Sequence, residues 1–200
     1  METYKDGVAL CPVENREQWH QWLKENHHKA KSVWLVYYKP GSGKTRVSYD
    51  DAVDEAICFG WIDSKPNSLD ENRSIQFFAP RNPKSNWSKI NKQRVERLLA
   101  DGRMEAAGLQ TVSVAKASGS WDALNDVEEM MIPDDLKHAL SSVPEAMKHF
   151  TAFPRSSKKN ILEWLHNAKQ PDTRQKRVQE TAKLAAQNIR ANHYRQPKNR

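Results

Sequence analysis

Asp63, Arg81, Asn91 and Arg94 are residues whose types and spacing could do chemistry, because the same stretch also carries Trp61, Trp87 and Cys58. One carboxylate, two guanidinium groups and a carboxamide, walled by Trp61 and Trp87, would make a polar pocket for a small anionic or amphipathic ligand. The same groups would equally form an internal ion-pair network that fixes how strands meet a helix. Arg94 decides between the two. At about 100° per residue, a helix over 88–100 spreads Trp87, Ile90, Val95, Leu98 and Leu99 across one broad side, with Asn91 and Arg94 in its middle and Lys89, Lys92, Gln93 and Glu96 opposite. An arginine there must find acceptors, because an unpaired buried charge is strongly destabilising. Asp63 is the nearest acidic candidate, with Asp70 and Asp101 as alternatives.

Other reactive types are less well placed. Cys58 would be a nucleophile only beside a base, and it falls late in a helix, where the dipole disfavours a thiolate; it reads as a buried structural thiol. The seven histidines are scattered, and Cys11 and Cys58 lack zinc or dithiol spacing, so neither a metal nor a cofactor is called for and the thiols fit a reducing compartment. Pro40-Gly41-Ser42-Gly43-Lys44-Thr45 imitates the end of a phosphate-binding loop. The full pattern needs glycine where Tyr38 stands, and it needs a helix starting at the Lys-Thr pair, whereas the better N-cap is Ser48.

These residues must be positioned by a modest set of elements. Trp19, Trp22 and Leu23 at helical spacing, opened by Asn15, predict a first helix over 15–26. The aromatic and β-branched run 33–38, VWLVYY, predicts a strand that ends at Lys39-Pro40-Gly41. Ser48 before Tyr49-Asp50-Asp51 predicts a capped helix whose inward stripe is Ala52, Val53, Ala56, Ile57 and Gly60. Two further strands are expected over 62–64 and 74–79, separated by a polar loop 66–72. Helices follow over 88–100 and 104–118, the second stopped by Gly119, and then from Pro133, Pro144 and Pro171, with another carrying Ile161, Trp164, Leu165 and Ala168. The expected fold is α+β: a small N-terminal sheet of about three strands packed with helices, then an all-helical C-terminal half. Its expected parts are 1–121, 122–190 and a disordered tail 191–200, with the seam where acidity rises in 119–134.

The net charge of +7 is unevenly spread. Over 121–146 a single base, Lys137, faces seven acids, whereas over 147–200 thirteen Lys or Arg face only Glu163, Asp172 and Glu180. An anionic partner would fit the basic part, and so would the acidic segment of the same chain. On the last helix Val178, Thr181, Ala185 and Ile189 are expected inward, with Arg174 and Arg177 near that side; Lys176, Lys183 and Arg190 recur on the outer face as the candidate polyanion contact. The stripe is interrupted by Glu180 and lacks a recognition motif, so nucleic acid is a disfavoured partner. No signal segment and no run of roughly 18 apolar residues is present, so membrane insertion is not expected and a cytoplasmic location is.

Taken together, AICFGWIDS (56–64), FAPRNPKSNWSKIN (78–91), GRMEAAG (102–108), AKASGSW (115–121) and AKQPDTRQKRVQE (168–180) closely resemble the YdeI/OmpD-associated (OmdA) family, also called bacteriocin-protection proteins. The resemblance implies a bacterial stress or resistance role against bacteriocins and cationic antimicrobial peptides. It brings neither an established reaction nor agreed catalytic residues; Trp61, Asp63, Pro80, Arg81, Trp87, Ser88 and Asn91 match signature positions only. Some members are periplasmic, and the missing export signal sets this chain apart from them. The expectation is a non-enzymatic protein that binds a small ligand or a protein partner near Asp63, Arg81, Asn91 and Arg94. The alternatives are a small-metabolite enzyme at the same place and a basic protein that associates with nucleic acid.

Overall fold

The computed structural model describes residues 2–4, 6–39 and 42–193. The chain divides into two compact units, Met1–Asp122 and Ala123–Arg200.

The first unit runs β1 (Leu10–Pro12), α1 (Arg16–Asn26), β2 (Val33–Tyr38), α2 (Tyr49–Cys58), β3 (Trp61–Ser68), β4 (Arg73–Pro80), α3 (Lys89–Ala100) and α4 (Ala106–Ser118). Its sheet has the order β1-β2-β4-β3, with β1 parallel to β2 and the other pairs antiparallel. The fold is therefore α+β, but with four strands rather than about three, and with helices interleaved among them. Strand β1 escapes sequence reading because three residues ending in proline show no alternation. Strand β3 is also longer than expected: a register shift between Asp63 and Pro66 lets the chain rejoin the ladder through Ser68, so half of the expected loop 66–72 is strand.

VWLVYY reads as a continuous apolar run because both faces of β2 are covered. Val33 and Leu35 join Phe78, Trp61, Trp19 and the buried side of α2 in the main core. Trp34 and Val36 join Leu10 and Ile75 in a smaller core on the other face, against Tyr4 and Val8. Asn15 and Ser48 cap α1 and α2 through their side chains, accepting from Gln18 N–H and Asp51 N–H. Gly119 ends α4 at φ 77. Gly108 earns its place differently: a Cβ there would lie 2.2 Å from the Cys58 carbonyl oxygen and 2.7 Å from that of Ile57, so only glycine lets α4 press against the end of α2.

Helix α3 lies with Val95 and Leu98 buried, whereas Ile90 is 61% and Leu99 44% exposed. The broad apolar side expected there is thus a narrow stripe, Asn91, Arg94, Val95 and Leu98, at positions i, i+3, i+4 and i+7.

The second unit is helical throughout its described residues: α5 (Asn125–Glu128), α6 (Asp134–Ser141), α7 (Ala146–Ala152), α8 (Arg155–His166) and α9 (Pro171–Ala186). Leu136, Leu140, Phe150, Ile161, Leu165 and Val178 centre its core. Helix α9 stops at Ala186, and Asn188 takes φ 57, so Ile189 and Arg190 do not continue its faces. The tail expected over 191–200 falls mostly outside the described residues; within them, Ala191 is buried.

Candidate functional site

The first unit is organised around two buried carboxylates on α2. Asp54 and Glu55 are 3% and 4% exposed, in a helix whose residues from Ala52 to Cys58 are all buried. Each carboxylate is held by cationic side chains from outside α2. Asp54 accepts from Arg94 Nη1 at 2.7 Å and Arg97 Nη2 at 2.6 Å, both on α3. Glu55 accepts from Arg16 Nε, from Arg103 Nη2 at 2.6 Å, and lies 2.8 Å from His20 Nδ1. Arg94 also bonds the side chain and the carbonyl oxygen of Asp50. Desolvating two carboxylates is tolerable only because every one of these bonds is charge-assisted or close to it.

Arg94 therefore finds acceptors, but not those expected. Asp63 lies elsewhere, Asp70 binds its neighbour Arg73, and Asp101 is the C-cap of α3. The sequence carries a signal for buried acids on α2, Asp50 with Asp54 and Asp51 with Glu55 one turn apart among its apolar positions, but not for which of them meets Arg94. Asn91 occupies the same stripe as Arg94, and its backbone N–H is the one capped by Ser88.

The remaining candidates separate into three sets of contacts. Trp61 is buried, donates its indole N–H to the His27 carbonyl at 3.2 Å, and meets Trp22 edge-on. Trp87 is also buried, with the Arg81 guanidinium over its ring, 3.8 Å from the ring centre, and Trp121 tilted against it at 5.0 Å. Arg81 donates from Nη2 to the Asn86 carbonyl at 2.6 Å, yet makes no ion pair among the described residues, and its Nε is buried without a partner. Burial pushes its pKa down to about 10.

Asp63 belongs to a different group, beside a cavity of about 300 Å³ on the sheet face that α2 covers. The cavity is lined by Tyr37, Ser74 and Gln76 on the sheet, Pro66 beyond the bulge, and Arg46 to Tyr49 at the start of α2. Asp63 accepts from the Tyr49 hydroxyl at 2.8 Å and the Gln76 carboxamide at 3.2 Å, which fixes two of the lining side chains. The Tyr37 hydroxyl is buried and has no hydrogen-bond partner among the described residues. Burial, with Asp63 and Tyr49 nearby, pushes the Tyr37 pKa well up; burial and the bond to Asp63 push Tyr49 up to about 12. Arg46 is exposed at the same cavity and makes no ion pair among the described residues. Sequence reasoning missed Tyr37, Arg46 and Gln76 because strand pairing, not sequence spacing, brings them together.

Cys58 is buried, and burial with the neighbouring Glu55 pushes its pKa up to about 12. The Gly43-Lys44-Thr45 segment does not open a helix, since α2 begins at Tyr49; Pro40 and Gly41 lie outside the described residues. No group of side chains able to hold a metal ion occurs among the described residues.

Residues 11–111 match the family described as Domain of unknown function (DUF8412), and residues 129–188 match the one described as Bacteriocin-protection, YdeI or OmpD-Associated (OmdA). The chain belongs to the DUF8412 family and carries an OmdA domain. No curated protein and no solved structure matches it. Of the motifs that suggested the family, those over 56–64, 78–91 and 102–108 fall in the DUF8412 match, and 168–180 falls in the OmdA match. Both the α2 carboxylates and the cavity thus lie in the DUF8412 domain.

In the OmdA domain the Thr-Arg-rich motif explains itself structurally. Arg174 and Arg177 on α9 donate to the carbonyls of Leu165 and Trp164, capping the C-terminal end of α8 where the helix dipole favours cations. Arg174 also forms a forked pair with Asp135. Lys176 and Lys183 are exposed on α9, while Arg190 lies beyond its end. Across the chain, no helix among the described residues is long and apolar enough to cross a membrane.

Proposed function

We propose that the protein serves bacteriocin protection as a binder rather than a catalyst, with its DUF8412 domain holding a small ligand in the cavity above Tyr37, Ser74 and Gln76. The OmdA domain supports the biological half of this reading. The binding half rests on one observation, the buried Tyr37 hydroxyl without a partner. Buried polar groups are almost always hydrogen-bonded, so an orphan hydroxyl on a cavity wall calls for an occupant that carries an acceptor. The apolar remainder of the wall suits an aliphatic or aromatic body, and Arg46 suits an anionic end.

The chemistry of the wall supports binding over catalysis. A nucleophile or base must be easy to deprotonate near neutrality, and the two lining tyrosines, Tyr37 and Tyr49, are both pushed the other way. The test is a ligand-observed NMR screen of small amphipathic carboxylates against the whole protein and its Ser74→Phe variant, which fills the cavity without touching the Tyr49–Asp63 bond. Hits should vanish in the variant, and cells producing it should lose protection against a bacteriocin. Hits that persist in Ser74→Phe, or a folded wild type that gives none, would refute the site.

A further inference from the structure

A second cleft, of about 370 Å³, lies in the OmdA domain. Helix α8 buries Ile161, Leu162 and Leu165 on one side and turns Asn160, Glu163, Trp164 and Asn167 to the other, at i, i+3, i+4 and i+7. These four line the cleft, and Arg177 from α9 and Asn192 from the turn beyond it complete the wall. The guanidinium of Arg177 stacks 4.8 Å from the Trp164 ring centre while Nη1 bonds the Trp164 carbonyl. Those two contacts fix the plane of the fork and leave Nε and Nη2 without a further bond among the described residues. Glu163 shares the cleft, yet neither it nor Arg177 forms an ion pair among the described residues. An acid and a base thus line one small cleft without pairing with each other, in the company of carboxamides.

We propose that this cleft binds a short peptide with free termini. The preset fork of Arg177 matches a carboxylate, which it can take in two parallel bonds. Glu163 matches an ammonium. A carboxamide offers one donor face and one acceptor, the complement of a peptide unit, so Asn160 and Asn192 read backbone rather than side chains. The cavity sits near the lower end of the roughly 300–1,000 Å³ usual for small-molecule sites, which limits the occupant to a few residues. This site lies in a different unit from the Tyr37 cavity and does not depend on it.

The probe is trialanine, titrated into the whole protein while the tryptophan indole N–H resonances are followed by NMR, with Trp164→Phe identifying the reporting signal. Free trialanine should shift the Trp164 signal saturably. Capping either end, as N-acetyl-trialanine or trialanine amide, should weaken binding by about tenfold or more, the loss of one charge-assisted bond. Glu163→Gln should weaken free trialanine by about the same factor and leave N-acetyl-trialanine unchanged, a pattern that a purely structural role would not produce. Arg177→Lys should keep the charge but lose the fork and weaken every peptide with a free carboxylate. Because Arg177 also caps α8, its variants count only where the melting temperature holds; Glu163→Gln carries the test otherwise. Equal affinity for free and capped peptides would overturn the proposal. So would the absence of a saturable shift at about 10 mM peptide, or a response to N-acetylglucosamine without one to trialanine.

Discussion

Arg94→Met tests whether the α2 carboxylates hold the DUF8412 domain together. The Arg94 side chain is 14% exposed and shares the buried Asp54 with Arg97, whose side chain is 51% exposed. Removing one partner of a buried pair typically costs about 3–5 kcal/mol, because the other charge is left desolvated. Arg97 still satisfies one oxygen of Asp54, and a surviving charged hydrogen bond is worth roughly 1.5–3 kcal/mol, so a loss of about 2–3 kcal/mol is expected. The Asp50 contact adds little, since that side chain is 76% exposed. Asp54→Ala should cost a similar amount, and the double variant less than the sum, with a coupling of about 1.5–3 kcal/mol. Urea unfolding followed by tryptophan fluorescence isolates the right unit, because Trp164 is the one tryptophan of the seven beyond Asp122. With a urea slope of roughly 1–3 kcal/mol per M, each single variant should lower the midpoint by about 1–2 M. Single losses below about 0.5 kcal/mol, or simple additivity in the double variant, would refute the network as the device that joins α2 to α3.

Gly108→Ala should destabilise the same unit by about 3 kcal/mol or more, since the new methyl meets the rigid carbonyls of Ile57 and Cys58; a thermal melt within about 1 °C of wild type would contradict the close approach. Cys11 and Cys58, both pushed up to about 12 by burial, should resist a thiol reagent at pH 8 until the protein is unfolded in urea. Rapid labelling of the native chain would show that one of them is accessible. In the OmdA domain, Arg174 holds the Asp135 carboxyl below its usual range. Its folded pKa is thus lower than its unfolded one, so the pair stabilises above the ordinary carboxylate pKa, and that contribution fades as pH falls through the folded value. Arg174→Gln should therefore differ most from wild type at neutral pH, and the difference should narrow in acid as Asp135 is protonated, leaving only the bond to the Leu165 carbonyl; a constant difference at every pH would remove the ion pair as the cause.

The elements were legible where local signals agreed: Asn15 and Ser48 as caps, VWLVYY as a strand, Gly119 as a stop. Strand β1 was not, because its three residues become strand only when β2 offers them a parallel edge. Helix α3 misled for a related reason. Its apolar residues exceed what α2 and the sheet can cover, so Ile90 and Leu99 remain exposed, and the stripe that packs is chosen by the acids waiting on α2. The need of Arg94 for acceptors was therefore readable, but their identity was not: it depends on which turn of α2 faces α3. The cavity was less legible still, since Tyr37 and Gln76 come together through the β2–β4 register, in which Tyr37 faces Ser74 and Leu35 faces Gln76.

This division of labour bears on why the signature segment holds Arg81. Arg94 neutralises carboxylates, so its burial is balanced; Arg81 is 9% exposed, stacked on Trp87, and has no carboxylate among the described residues. Cation–π stacking on an indole contributes about 2 kcal/mol when desolvated, and the bond to Asn86 adds roughly 1.5–3. Those two contributions offset a burial penalty of several kcal/mol for the cation. The stack then acts as a pin for the segment between β4 and α3, orienting Trp87 toward Trp121. On that account the indole matters more than the charge: Trp87→Leu should loosen the segment even with Arg81 intact, whereas Arg81→Met, which keeps an apolar stem on Trp87 and removes the orphan Nε, should leave the unfolding free energy within about 1 kcal/mol of wild type.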